Sequence, residues 1–237
     1  MHDKSQYPIF VTGIERSGCS LIAKIIAMSG AFTGQCTPMQ ENLKIKEFLD
    51  NYYYSIMADP RGQYPLPTEK LIPTDWNEKI YRLLRSEGYN NEKLWMYKGS
   101  RIVQTWPIWN YTYPNAKWII VRRRTADVLQ SCLHTDFMNA YSNKITQQSI
   151  KVSSEREGWL WWVHEHEKLF IQMMEIGLNI KVIWPERMLH GNLEQVYDML
   201  EWLGLSWNPG IVEYLETRLF KHTDDENNSG RSFIDNG

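Results

Sequence analysis

Residues Pro8 to Ser29, PIFVTGIERSGCSLIAKIIAMS, decide the fold. Ile9 to Val11 is a short apolar strand, Gly13 to Ser20 a glycine-bounded turn, and Leu21, Ile22, Ile25 and Ile26 recur at helical spacing until Ser29-Gly30 ends the pattern. A strand, tight loop and helix in that order aim consecutive backbone N–H groups at one point, where the helix N-terminus adds partial positive charge. The unit reads as an anion cradle, most simply for a phosphate; a bare structural turn is the alternative. Gly13-x4-Gly18 has Walker A spacing, yet Cys19 stands where a nucleotide kinase or ATPase carries lysine, and the positive charge has moved inside the loop to Arg16.

The rest of the chain alternates in the same way. Glu41 to Ile56 predicts a helix, Asp59 to Pro67 (DPRGQYPLP) a loop, and Asp75 to Glu87 a helix opened by Thr74 and closed by Gly88. Leu94 to Tyr97, Lys117 to Val121 and Asn179 to Trp184 predict strands. Helices are expected after Arg101 to Trp109, from Thr125 to about Leu133 and for about twenty residues from Ser153, where Trp159, Trp162, Val163, His166, Phe170 and Met173 share a face. Two short C-terminal helices follow, the first with a stripe of Leu193, Val196, Tyr197, Leu200 and Leu203, before a polar tail from Asp224 to Gly237. Strands alternating with helices imply an α/β fold, a P-loop-like three-layer α/β/α arrangement around a mainly parallel central sheet, with residues 1–237 as one domain.

Composition bounds the partners. A formal charge of −2 over 237 residues gives no general attraction to nucleic acid or to an acidic membrane. No apolar run is long enough to span a bilayer and the N-terminus lacks a hydrophobic signal region, so a cytoplasmic protein is expected. Cys19, Cys36 and Cys132 cannot all pair and lack metal-ligand spacing, which makes reduced thiols the default. His164-Glu165-His166-Glu167 lacks the i, i+4 histidine pair of a metal site and reads as helix surface with a core His166. Eleven tryptophans and thirteen tyrosines read as buried core or as a stacking surface for a ring-bearing ligand.

A second basic cluster, Arg122-Arg123-Arg124, leaves the Lys117–Val121 strand directly, and Arg123 and Ser131 are spaced to converge on one phosphate; a solvated patch is the alternative. Together IERSGCSL (Ile14 to Leu21) and VRRRTADVLQS (Val121 to Ser131) resemble the two cofactor motifs of sulfotransferases that use 3′-phosphoadenosine-5′-phosphosulfate (PAPS). YKGSR (Tyr97 to Arg101), YPNAKW (Tyr113 to Trp118), WPERML (Trp184 to Leu189) and MLEWLGLSWNP (Met199 to Pro209) are similar to further stretches of that family, in the style of its short soluble bacterial and phage members. The resemblance implies that Arg16, Ser17, Gly18, Cys19 and Ser20 cradle the 5′-phosphosulfate and that Arg123 and Ser131 bind the 3′-phosphate, with Asp127 as the motif's internal acid. It also implies the bisphosphate PAP as product, Lys98 beside the transferred group, and Glu41 as general base, although a solvated glutamate at a helix start is the plain reading. Glu47 and His134 are weaker candidates for the base.

The chain departs from the motifs at five residues. Glu15 replaces a proline, Cys19 and Ser20 replace two threonines, Leu21 stands where a tryptophan often stacks on adenine, and Ser100 occupies the place of a catalytic histidine. Gly230-Arg231 compares loosely with a late cofactor loop, a frayed tail being the alternative. The acceptor is expected to be a small molecule or carbohydrate, lined by Gln35 to Glu41, Asp59 to Pro67 and Tyr141 to Ser153. A P-loop kinase-like enzyme and a catalytically inactive nucleotide-binding module are the competing readings, the first opposed by Cys19 and the second by Arg16, Arg123 and Ser131.

Overall fold

Four parallel strands form the central sheet: β1 (Ile9–Gly13), β2 (Met96–Lys98), β3 (Lys117–Val121) and β4 (Ile180–Ile183), in the order β2-β1-β3-β4. The computed structural model describes residues 4–67, 73–189 and 191–217. All five residues of β1 are buried, as an apolar strand with a parallel neighbour on each side must be. Side chains alternate across it. Phe10 enters a core cluster with Trp95, Tyr97, Trp109 and Trp118 on one face, while Ile9 and Val11 join Met96, Ile119, Val121 and Ile183 on the other.

Helices cover both faces and complete the expected three layers. The second cluster is closed by α1 (Cys19–Met28) through Ile22, Ala23, Ile25 and Ile26. The first is closed by α2 (Leu43–Ser55), α3 (Trp76–Ser86), α4 (Trp106–Thr112), α5 (Thr125–Leu133) and, after the short α6 (Lys144–Ser149), by the long α7 (Glu155–Glu175). Beyond β4, α8 (Pro185–Leu189) and α9 (Glu194–Leu203) return the chain to the α1 face, where Val196, Met199, Leu200 and Leu203 are buried. Tyr197 leaves the expected stripe: it is exposed and stacks on Trp207.

Most differences from the sequence reading are at element ends. The helix expected from Glu41 starts at Leu43, because the Asn42 side chain accepts from Ile45 N–H at 2.9 Å and caps it. Residues Ser100–Thr105 form a 3-10 helix before α4, and α6 interrupts a stretch expected as loop. Six tryptophans (76, 95, 109, 118, 159 and 162) are almost wholly buried, several in edge-to-face contacts such as Trp76 on Trp109. Much of the aromatic content is therefore core. Among the described residues no helix is long and apolar enough to cross a membrane, and Cys19, Cys36 and Cys132 are free thiols.

Strand order positions the site. From β1 the sheet grows one way to β2 and the other way to β3, so the carboxyl ends of β1 and β3 flank a topological switch point. Gly13 and Val121 are partners in the ladder there. The loop after β1 and the arginines after β3 must leave side by side.

Candidate functional site

The turn from Gly13 to Gly18 is tight for identifiable reasons. A Cβ on Gly13 would meet the Val121 carbonyl oxygen at 2.4 Å, Ser17 Oγ at 2.6 Å and Cys19 Sγ at 2.9 Å. Gly18 caps α1 with φ +98°, a left-handed conformation that favours glycine, and stands against Pro185. Arg16 is itself left-handed at φ +69°. Ser17 and Cys19 turn inward, their side chains 3.3 Å apart and buried. The cradle is therefore backbone rather than hydroxyl: the N–H groups of Gly18, Cys19 and Ser20 donate to no backbone carbonyl among the described residues. Burial raises the Cys19 thiol above its ordinary pKa, Lys98 opposing, so it stays protonated despite its place at a helix start.

The two motifs meet. Arg16 Nε donates to Ser131 Oγ at 2.9 Å, and Arg123 Nη1 donates to the Arg16 carbonyl at 3.3 Å. The three neighbouring arginines have separate tasks. Arg122 pairs with Glu167 and lies over the Trp184 ring, and Arg124 pairs with Asp127 at the solvent edge. Arg123 is the one of the three that turns to the loop after β1.

The opposite wall carries Lys98 and Glu41. Lys98 ends β2 beside Val11, is nearly buried, and has Nζ 3.5 Å from Glu41 Oε1. Glu41 lies on a turn closed by Thr37 N–H to the Glu41 carbonyl at 2.8 Å and by left-handed Gln40. Ser20 Oγ donates to the Met39 carbonyl at 2.9 Å, tying that turn to the first turn of α1. Glu41, Lys98 and Ser20 thus stand on one side of the cradle, and Arg16, Arg123 and Ser131 on the other.

Two of the segments expected around the acceptor are locked together. Gln63 Nε2 donates to the Phe137 carbonyl at 2.9 Å, Tyr64 OH to the Ala140 carbonyl at 3.0 Å, and Tyr141 OH to the Gln63 carbonyl at 2.8 Å. Arg101 secures the same loop, bonding the Pro60 and Lys46 carbonyls and the Asp50 carboxylate from a buried position. In the sequence Arg101 was visible only as the end of YKGSR. A separate groove of about 510 Å³ lies between α2 and α3, lined by Lys44, Phe48, Lys79 and Arg82 among others, and includes none of the cradle residues.

Composition and spacing did not reveal the partner of Glu15. Its side chain is 9% exposed, and Oε2 stands 3.8 Å from Nε2 of the fully buried His166 on α7. The available signal was a carboxylate inside a loop of small residues and a histidine on an apolar helix face. Gly230-Arg231 and the tail from Asp224 lie outside the described residues.

No protein-family model and no curated protein matches the chain. Solved structures do. The sulfotransferase STF9 from Mycobacterium avium superposes with a TM-score of 0.57 at 12% identity, covering 91% of this chain and 68% of that one. The sulfotransferase STF1 from Mycobacterium tuberculosis gives 0.53 at 15% identity, covering 90% and 71%. The chain has the fold of these enzymes.

Proposed function

We propose that this protein is a sulfotransferase that moves a sulfuryl group from PAPS to a hydroxyl or amine of a small-molecule or carbohydrate acceptor in the cytoplasm. The observation that carries the reading is the hydrogen-bonded junction of the two basic motifs, Arg16 on Ser131 and Arg123 on the Arg16 carbonyl. Two anion-binding groups fixed so close together suit one ligand with two phosphates better than two separate ligands. The backbone cradle that Gly13 and Gly18 make possible fits a phosphate, and the shared fold supports the assignment.

When bound, PAPS supplies an activated sulfuryl group and leaves as the bisphosphate. The N–H groups of Gly18, Cys19 and Ser20 and the positive end of α1 hold its 5′ end, and Arg123 and Ser131 its 3′-phosphate. Arg16 neutralises charge that grows on the leaving oxygen, a task suited to a side chain that keeps its proton. Lys98 would face the transferred group, and Glu41, held by Lys98, would accept the acceptor's proton as the new bond forms.

Thermal-shift titration tests the donor. Adenosine 3′,5′-bisphosphate is expected to raise the melting temperature and ATP with magnesium to leave it unchanged, because only a ligand that prefers the folded state stabilises it. The reverse pattern would favour the kinase-like reading. In a labelled-donor assay Arg16→Ala is expected to lower kcat by about 10²- to 10³-fold, the usual scale for removing a charge-stabilising donor. Glu41→Gln is expected to lower kcat with donor affinity retained. An Arg16→Ala enzyme of near-normal rate rejects the assigned role.

A further inference from the structure

Glu15 and Arg16 are chain neighbours with opposite surroundings. Arg16 reaches Ser131 at the half-buried surface, whereas Glu15 reaches His166 inside. Four buried polar atoms belong to this spot: both Glu15 carboxylate oxygens, His166 Nε2 and Trp162 Nε1, none in a well-formed hydrogen bond among the described residues. Trp162 and Ser100 approach the carboxylate closely enough to favour its charged form without reaching that geometry. The His166 ring is fixed from its other side. Nδ1 lies 3.0 Å from the Trp162 carbonyl, which can only accept, so Nδ1 carries a hydrogen and Nε2 is left to face Glu15. The Trp162 ring, 4.4 Å away and perpendicular, and Phe170 hold the imidazole in place.

This fixed tautomer limits what the pair can do. With one proton between Nε2 and Oε2 the pair is neutral overall, as imidazolium and carboxylate or as imidazole and carboxylic acid. Without that proton, the Nε2 lone pair faces a carboxylate and a net negative charge is buried one residue from Arg16. We propose that Glu15 and His166 share one proton and act as positioning residues for the Arg16 turn, so that anion binding in the cradle and protonation of the pair are coupled. The proposal rests on reading the loop as the donor's anion site. The cradle grips while the pair is neutral; loss of the proton to solvent sets a buried negative charge against the incoming anion. Linkage makes the effect reciprocal, and binding draws the proton back.

Other ionisable groups nearby do not compete for this role. Tyr53 on α2, Tyr141, Cys132 on α5 and Cys19 on α1 all sense Glu15, and burial pushes each of them up, Cys132 to about 12, so they stay neutral. Arg16 keeps its positive charge, and Lys98 is paired with Glu41 on the far wall of the cradle. Burial likewise raises the Glu15 carboxyl above its ordinary range, with His166 opposing.

Calorimetric titration of the full chain with adenosine 3′,5′-bisphosphate and with inorganic pyrophosphate, in buffers of differing ionisation heat from mildly acidic to mildly alkaline pH, tests the coupling. The wild type is expected to weaken about tenfold as the pair loses its proton, within the usual range of site-to-site coupling, and to take up about half a proton on binding in that range. Glu15→Gln is expected to lack this tenfold loss and to take up about half a proton fewer, the ligand's own titration being common to both. Equal proton uptake by wild type and Glu15→Gln overturns the proposal. If pyrophosphate binds with proton uptake and the adenosine bisphosphate does not bind, the coupling stands and the donor assignment falls. If neither binds, both fall.

Discussion

At the scale of single residues, the proposed anion site is a set of side chains whose contacts differ from what their identities suggest. Ser17 and Cys19 fill the inside of their own loop, and Gly13 is required because the Val121 carbonyl passes where a Cβ would be. The positions of Arg16, Gly18, Arg123 and Ser131 could be read from spacing, because backbone turns and helix periodicity fix them locally. The Glu15–His166 contact could not, since it joins residues brought together only when α7 packs on the sheet. Its stability effect has a definite sign. The folded state holds the Glu15 proton more tightly than the unfolded chain does, so this stabilisation is complete below the ordinary value of 4.5 and is lost as pH rises from there through the higher folded value. Glu15→Gln is expected to melt above the wild type at neutral pH and to lose that part of the pH slope. A variant curve parallel to the wild type's would contradict it.

At the scale of elements, helix starts and strand exits place the chemistry. Asn42 is buried, caps α2, and also donates to the Thr33 carbonyl at 2.9 Å and to Glu87 Oε2 at 2.6 Å. It therefore fixes the turn on which Glu41 sits. Asn42→Ala is expected to cost about 1–2 kcal/mol, the upper part of the N-cap range, and to lower kcat more than donor affinity because the Glu41 turn loosens. Denaturant unfolding and steady-state kinetics on the same preparation check both halves. In the sequence, every strand was legible to within about two residues, since buried parallel strands are nearly continuous apolar runs. The helix expected up to Trp109 is present but begins as a 3-10 segment, and that change of form and the short α6 were not legible, because neither carries a sustained period.

At the scale of the whole molecule, the three layers followed from alternation, but the strand order did not. A fully apolar strand announces that both its faces are covered and leaves its neighbours unnamed. The order β2-β1-β3-β4 is what sets Gly13 against Val121 and merges two distant motifs into one site. It has a further consequence for how the chain is made. β1 lies in the interior of the sheet, and its partners come much later in the chain: Ile9 pairs with Met96 on one side and with Lys117 on the other. A chain shortened to residues 1–112 is expected to aggregate rather than fold, and refolding of the full chain to be slow, as non-local pairing dictates. Stopped-flow refolding and sedimentation of the fragment check this; a monomeric, protected fragment would contradict it. On the ribosome, IFVTG then waits with one edge bare until Met96–Lys98 has been made and the other until Lys117–Val121 has, which makes this stretch the natural point of capture for a chaperone.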